Sequence, residues 1–252
     1  MNARGTVNRI IGLAFIAVVL AGCSTPADNS HALKSAKVHT DLAALYYERA
    51  QLGVAMDELK QALEADQNYA PAYNVRGLVH MELREDTEAE EDFKRSLQLD
   101  NMDSDAHNNY GWFLCQRGRE KESIPQFMAA LKNPLYATPG LAYLNAGLCS
   151  RKAGNNKDAE DFLNKALTVQ PGMTQALYAL AEMNFADGDY FAARKYFADF
   201  AQKSDKLTAE QLWLGVRINR KTGDRNSEAS FAMQLRNRYP DARETQMLTH
   251  GE

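Results

Sequence analysis

The sequence predicts an all-α protein, a right-handed superhelical solenoid of six antiparallel helix pairs, and three observations carry that prediction. Small residues recur at Ala43, Gly77, Gly111, Gly147, Ala181 and Gly215, spaced by 34, 34, 36, 34 and 34 residues. A second small column follows twelve residues later at Ala55, Ala89, Ser123, Ala159, Ala193 and Ser227. Four residues further on stands a bulky column, Leu59, Phe93, Phe127, Leu163, Phe197 and Phe231, and then Ala62, Ser96, Ala130, Ala166, Phe200 and Gln234. The third observation is punctuation. Gly118, Gly154-Asn155-Asn156, Asp187-Gly188-Asp189 and Gly223-Asp224 fall between the helices of a pair, while Pro71, Pro171 and Pro240 fall near the boundaries between pairs. A fixed period of this length is the mark of stacked supersecondary units. Small residues where two helices cross let the backbones approach, and the large residue fills the space between neighbouring units.

Taken from the N-terminus, the first element is not part of the fold. Arg4 and Arg9 precede the apolar run 10–20, too short to span a bilayer and suited to the core of a signal peptide. Leu20-Ala21-Gly22-Cys23 then reads as a lipobox, with cleavage after residue 22 and Cys23 receiving a diacylglycerol. Ser24 after the cysteine, rather than Asp, fits sorting to an outer membrane. Removal of 1–22 takes away two cations and no acid, so the formal charge moves from −4 to −6. Residues 23–35 read as a lipidated polar tether. The six units follow at 36–69, 70–103, 104–137, 140–173, 174–207 and 208–241, with Thr138-Pro139 lengthening one connection inside the proline-rich stretch 133–140. Pro125 falls near the start of its helix, where a missing N–H costs least. Residues 242–252 read as a capping helix or a frayed tail. These columns resemble the tetratricopeptide repeat, a helix pair of 34 residues.

The charge balance, 29 basic against 33 acidic residues, leaves no footprint for nucleic acid. There is no phosphate-cradling glycine loop, HExxH pair, GxSxG elbow or CxxC pair, so no catalytic site, metal site or small-molecule substrate is expected, and no cofactor beyond the lipid on Cys23. His39, His80 and His107 fall on first helices, and His31 and His250 fall outside the units. The acid-rich stretch 82–92 straddles a turn and a helix start, and reads as a solvated face. Cys115 and Cys149 stand 34 residues apart, one repeat length, which places them at equivalent points on the first helices of units three and four. Two readings stay open for them. A disulfide would staple the junction that carries the insertion, as an oxidising periplasm permits. Two buried free thiols are the alternative, because neighbouring helix axes lie ~8–10 Å apart while bridged Cα atoms need roughly 4.4–6.8 Å.

First helices of such a stack line its inner face, where a partner is read. The lining positions include Asn74, Leu78, Met81, Asn108, Trp112, Leu144 and Leu148, together with Arg151 and Phe185. Leu78, Met81, Trp112, Leu144 and Leu148 form a candidate apolar groove for a peptide, with contact between neighbouring helices as the competing reading for each. Asn74 and Asn108 hold the same repeat position, so their amides could clamp a peptide backbone.

Three segments carry a closer resemblance: Asn108-Asn109-Tyr110-Gly111-Trp112-Phe113-Leu114-Cys115, Tyr190-Phe191-Ala192-Ala193-Arg194-Lys195-Tyr196 and Leu214-Gly215-Val216-Arg217. With the lipobox and six repeats, the chain resembles the type IV pilus biogenesis and stability lipoproteins, which include the secretin pilotins. That resemblance implies a non-enzymatic outer-membrane lipoprotein whose partner is the type IV pilus secretin, held in a groove on the early repeats, and whose loss abolishes twitching. The rival is a lipoprotein scaffold of the same architecture serving outer-membrane protein insertion or cell-wall enzyme regulation.

Overall fold

The computed structural model describes residues 26–250, with side chains from 30 to 249. Among the described residues there are thirteen helices and no strand. Six helix pairs form the array: α1 (Pro26–Glu48) with α2 (Leu52–Ala65), α3 (Ala70–Leu83) with α4 (Asp86–Leu99), and α5 (Ser104–Gln116) with α6 (Glu120–Ala130). They continue as α7 (Pro139–Lys152) with α8 (Asn156–Val169), α9 (Thr174–Ala186) with α10 (Tyr190–Lys203), and α11 (Ala209–Thr222) with α12 (Arg225–Arg238). A last helix, α13 (Arg243–His250), packs on α11 and α12 and tucks Leu248 into the core, so the C-terminal end of the array is capped.

The small and bulky columns are the packing. A Cβ added at Gly77 would come within 2.9 Å of the Phe93 ring, one at Gly111 within 2.8 Å of the Phe127 ring, and one at Gly147 within 2.7 Å of Leu163. Only a bare Cα leaves room for these side chains, and Phe93, Phe127 and Leu163 are fully buried. The turns inside the pairs share one device. Gly118, Gly154, Gly188 and Gly223 all have φ between 75° and 85°, ending the first helix in the left-handed conformation. Units one and two use Ala50 (φ 55°) and Arg84 (φ 65°) at the same place. A residue with a Cβ is strained there, so Ala50→Gly is expected to stabilise the protein by about 0.5 kcal/mol, the relief exceeding the entropy glycine adds to the unfolded chain. An unchanged or lowered thermal midpoint would refute this.

Three sequence expectations need correction. The stretch read as a tether is helical from Pro26: proline suits a first helical turn, and Ala27, Ala32, Leu33, Lys34, Ala36 and Lys37 all favour continuation. Pro125 lies sixth in α6, past the free N–H groups of the first turn, and α6 is the shortest of the twelve paired helices at 11 residues. The acid stretch is not uniformly solvated. Asp92 is only 5% exposed and takes both Nε and Nη2 of Arg76 at 2.7 Å, a bidentate pair inside unit two.

Adjacent units are also joined by polar contacts. Arg119 of α6 reaches back to Glu90 of α4 at 2.8 Å, Tyr110 donates its hydroxyl to Glu90 at 2.9 Å, and Lys94 pairs with it at 2.8 Å. Arg119 first, then Lys94 and Tyr110, pull the Glu90 carboxyl from its ordinary 4.5 down to about 2. A depressed carboxyl favours the fold when ionised. Its contribution is complete above the unfolded value of 4.5 and drains away as pH falls through about 2. Glu90→Gln is therefore expected to cost about 1–2 kcal/mol at neutral pH, after discounting for partial solvent screening, and to flatten the acid limb of the stability curve. An acid limb as steep as the parent's would contradict the assignment.

Candidate functional site

The residues expected to line a groove divide into two groups. Asn74 and Asn108 are 7% and 3% exposed and are spent on stacking. Asn109 Nδ2 donates to Asn74 Oδ1 at 3.1 Å, and Asn145 Nδ2 donates to Asn108 Oδ1 at 3.0 Å, so each asparagine is answered by one from the next unit. Buried amides need such partners, and the structure makes them a joint between units rather than an open clamp. Leu144, 2% exposed, packs with Leu163, Met173 and Leu180 in the core, so it too leaves the candidate groove. The others are half-buried. Leu78 and Met81 lie against the Phe93, Tyr110 and Phe113 cluster, Trp112 against Phe127 and the two cysteines, and Leu148 against the Leu144 cluster. Between Met81 and Trp112 opens a cavity of 210 Å³, flanked by Glu82, Arg84, Gln116 and Arg117.

Cys115 and Cys149 are bonded, with Cα atoms 5.9 Å apart. Their positions in the repeat are not equivalent. Cys115 stands four residues after Gly111, while Cys149 stands two after Gly147, because the two-residue insertion separates those glycines by 36. Equivalent residues would sit a full helix spacing apart. Cys149 instead occupies the repeat position that faces the preceding unit, where Val79, Phe113 and Met183 are buried in their own units. That shift brings the two Cα atoms within bridging distance. Lys152 Nζ closes the same junction by donating to the Cys115 carbonyl and pairing with Glu120 at 3.2 Å.

The three first-helix histidines serve their own units: His39 meets Glu58 at 2.7 Å, His80 meets Glu85 at 2.6 Å and His107 meets Gln126 at 2.7 Å. Among the described residues no group of three His, Cys, Asp or Glu is arranged to hold a metal, and no helix is long and apolar enough to cross a membrane. The lipidation candidate Cys23 lies outside the described residues.

One surface went unnoticed in the sequence. The unit-facing positions of units two to five hold Ala72 and Val79, Ala106, Tyr110 and Phe113, Ala142, Ala146 and Cys149, and Ala176, Leu180 and Met183, all buried by the unit before. In unit one the same positions are Val38, Leu42 and Leu45. Among the described residues no unit packs on them, and they are 55%, 36% and 49% exposed. They fall at i, i+4 and i+7 on α1, so they form one apolar stripe on the open end of the array. Their repeat positions are legible in the sequence, but their exposure is not, because the same positions are buried in units two to five.

Comparison with known proteins agrees with this architecture. Tetratricopeptide-repeat family models match residues 70–101 and 144–206. The type IV pilus assembly protein PilF of Pseudomonas aeruginosa is 29% identical over 238 residues, spanning 92% of this chain and 94% of that protein. A solved structure from the functional characterisation of P. aeruginosa PilF superposes with a TM-score of 0.81 at 26% identity, over 88% of this chain and all of that one. The crystal structure of PilW, described as a widely conserved type IV pilus biogenesis factor, superposes with a TM-score of 0.77 at 32% identity, over 85% of this chain and 98% of that one. Likeness of that extent, 32% identity over 98% of PilW, is more than shared repeats, and the protein belongs to the tetratricopeptide-repeat proteins of type IV pilus biogenesis that include PilW and PilF.

Proposed function

We propose that the protein is an outer-membrane lipoprotein of type IV pilus biogenesis, a pilotin-like scaffold that binds the secretin and promotes its localisation and multimer assembly. The observation that carries this reading is the end-to-end relationship with PilF and PilW, which covers nearly the whole of both proteins rather than a stretch of generic repeats. The lipobox ending at Cys23 supplies the anchor in this reading, and the start of α1 at Pro26 sets the folded body close behind it. An acyl group on Cys23 together with a second and third chain would hold the protein stably at the membrane, where one chain is marginal. For the secretin we assign the open apolar end of unit one, Val38, Leu42 and Leu45, continued by the half-buried Leu78, Met81 and Trp112.

Deletion of the gene tests the function directly. Loss of the heat- and detergent-resistant secretin multimer on a denaturing gel, with loss of surface pili, supports it, whereas unchanged multimers with a general fall in outer-membrane proteins would favour an insertion scaffold instead. Cys23→Ser should abolish acyl labelling. Val38→Asp with Leu45→Asp is expected to reduce secretin multimers to the level of the deletion while shifting stability by no more than about 0.5 kcal/mol, since both side chains already meet water. Normal multimers in that variant would remove the open end from the binding surface.

A further inference from the structure

The repeat position occupied by Leu45, Val79, Phe113, Cys149 and Met183 is apolar in five units and buried in units two to five, but in unit six it is Arg217, which is exposed. A local rule broken without any gain in packing marks a place selected for something other than stability. Arg217 does not hang loose. Its guanidinium lies 4.4 Å from the centroid of the Phe185 ring, and one turn further along α11 the Lys221 ammonium lies 5.7 Å from the Tyr190 ring. The two rings touch each other, centroids 5.4 Å apart, so they form one aromatic floor beneath two cations.

Among the described residues neither Arg217 nor Lys221 has a carboxylate within ion-pair distance, although the chain carries 33 acids against 29 bases. Nearby cations are answered: Arg151 pairs with Glu182 at 2.8 Å and Arg220 with Glu228 at 2.9 Å. Lys221 lies in the last turn of α11, where carbonyl ends favour a cation, but Arg217 lies a turn earlier and has no such reason. Arg151 and Glu182 form the opposite wall of the same cleft, which has a volume of 430 Å³ and adds Leu214 to its apolar lining.

We propose that this cleft between α7, α9 and α11 is a second docking site, for an acidic peptide segment of a protein partner. A carboxylate would sit bidentate on Arg217, whose five N–H donors are left unpaired by the ring below. A second acid would meet Lys221, and an aromatic or aliphatic side chain between them would pack on Phe185 and Leu214. The presence of Glu182 in the wall favours monoanionic carboxylates over a dianionic phosphate. The site is separate from the apolar end of unit one and is independent of whether that end binds the secretin.

The test is titration of the isotope-labelled mature chain with acetyl-Glu-Phe-Glu-amide, followed by amide chemical shifts. Saturable shifts confined to 182–190 and 214–221 are expected, with binding about tenfold weaker for the Gln-Phe-Gln peptide. Arg217→Gln should weaken the acidic peptide about tenfold with an unchanged thermal midpoint, and Arg217→Lys should recover part of the loss because a charge remains without the fork. Equal binding of both peptides, shifts elsewhere, or an indifferent Arg217→Gln variant would overturn the proposal. So would absence of peptide shifts combined with Arg217-dependent sedimentation on phosphatidylglycerol vesicles, which would assign the cations to lipid headgroups.

Discussion

Replacing Cys115 and Cys149 together by serine is expected to lower stability by about 3–4 kcal/mol, the loop-closure contribution for a 34-residue separation. The loss should not spread evenly. In a repeat array each unit contacts only its neighbours, so the weakened element is the junction of units three and four, which the eight-residue connection 131–138 joins. Urea titration of the oxidised parent, the reduced parent and the double serine variant checks this: reduction and mutation should shift the midpoint together and leave an extra transition where the parent has one. Coincident midpoints for oxidised and reduced parent would show that the bridge contributes nothing.

Phe127→Ala is expected to cost about 3–5 kcal/mol, the usual range for emptying a fully buried aromatic site. The ring lies between α5 and α6 against Gly111, so its loss leaves a void that two rigid helices cannot close. The complementary variant Gly111→Ala drives a Cβ to 2.8 Å from the ring and should cost about 1–3 kcal/mol by overpacking. Combining Gly111→Ala with Phe127→Leu should restore part of that loss, since the smaller side chain admits the new methyl group. Strict additivity in the double-mutant cycle would show that the two columns do not interlock at this unit.

The fold was legible because each unit must solve the same packing problem, and the solution leaves a column wherever helices cross: Gly111 with Phe127 and Gly147 with Leu163 are visible as letters before they are visible as contacts. Depth was harder to read. Periodicity places Asn74 and Asn108 on the inner face but does not say how far the next unit overlaps them, and that overlap hands them to Asn109 and Asn145. A 34-residue spacing does not make Cys115 and Cys149 equivalent, because the insertion sets Gly111 and Gly147 36 residues apart. Asp92 was lost among neighbouring acids because its partner, Arg76, sits 16 residues away on the other helix of its pair. The turns at Ala50 and Arg84 carry no glycine to announce their left-handed backbone. Val38, Leu42 and Leu45 are ordinary core letters, and their exposure among the described residues is what makes them a surface.

The bridge also sets where the array can open. Among the described residues only units three and four are covalently cross-linked, so either flank can loosen while they stay together. A partial opening that begins in units one and two, or in units five and six, halts at this pair, which the bridge makes into a single cooperative block. The protein can lend either flank to a rearrangement while the middle keeps its shape.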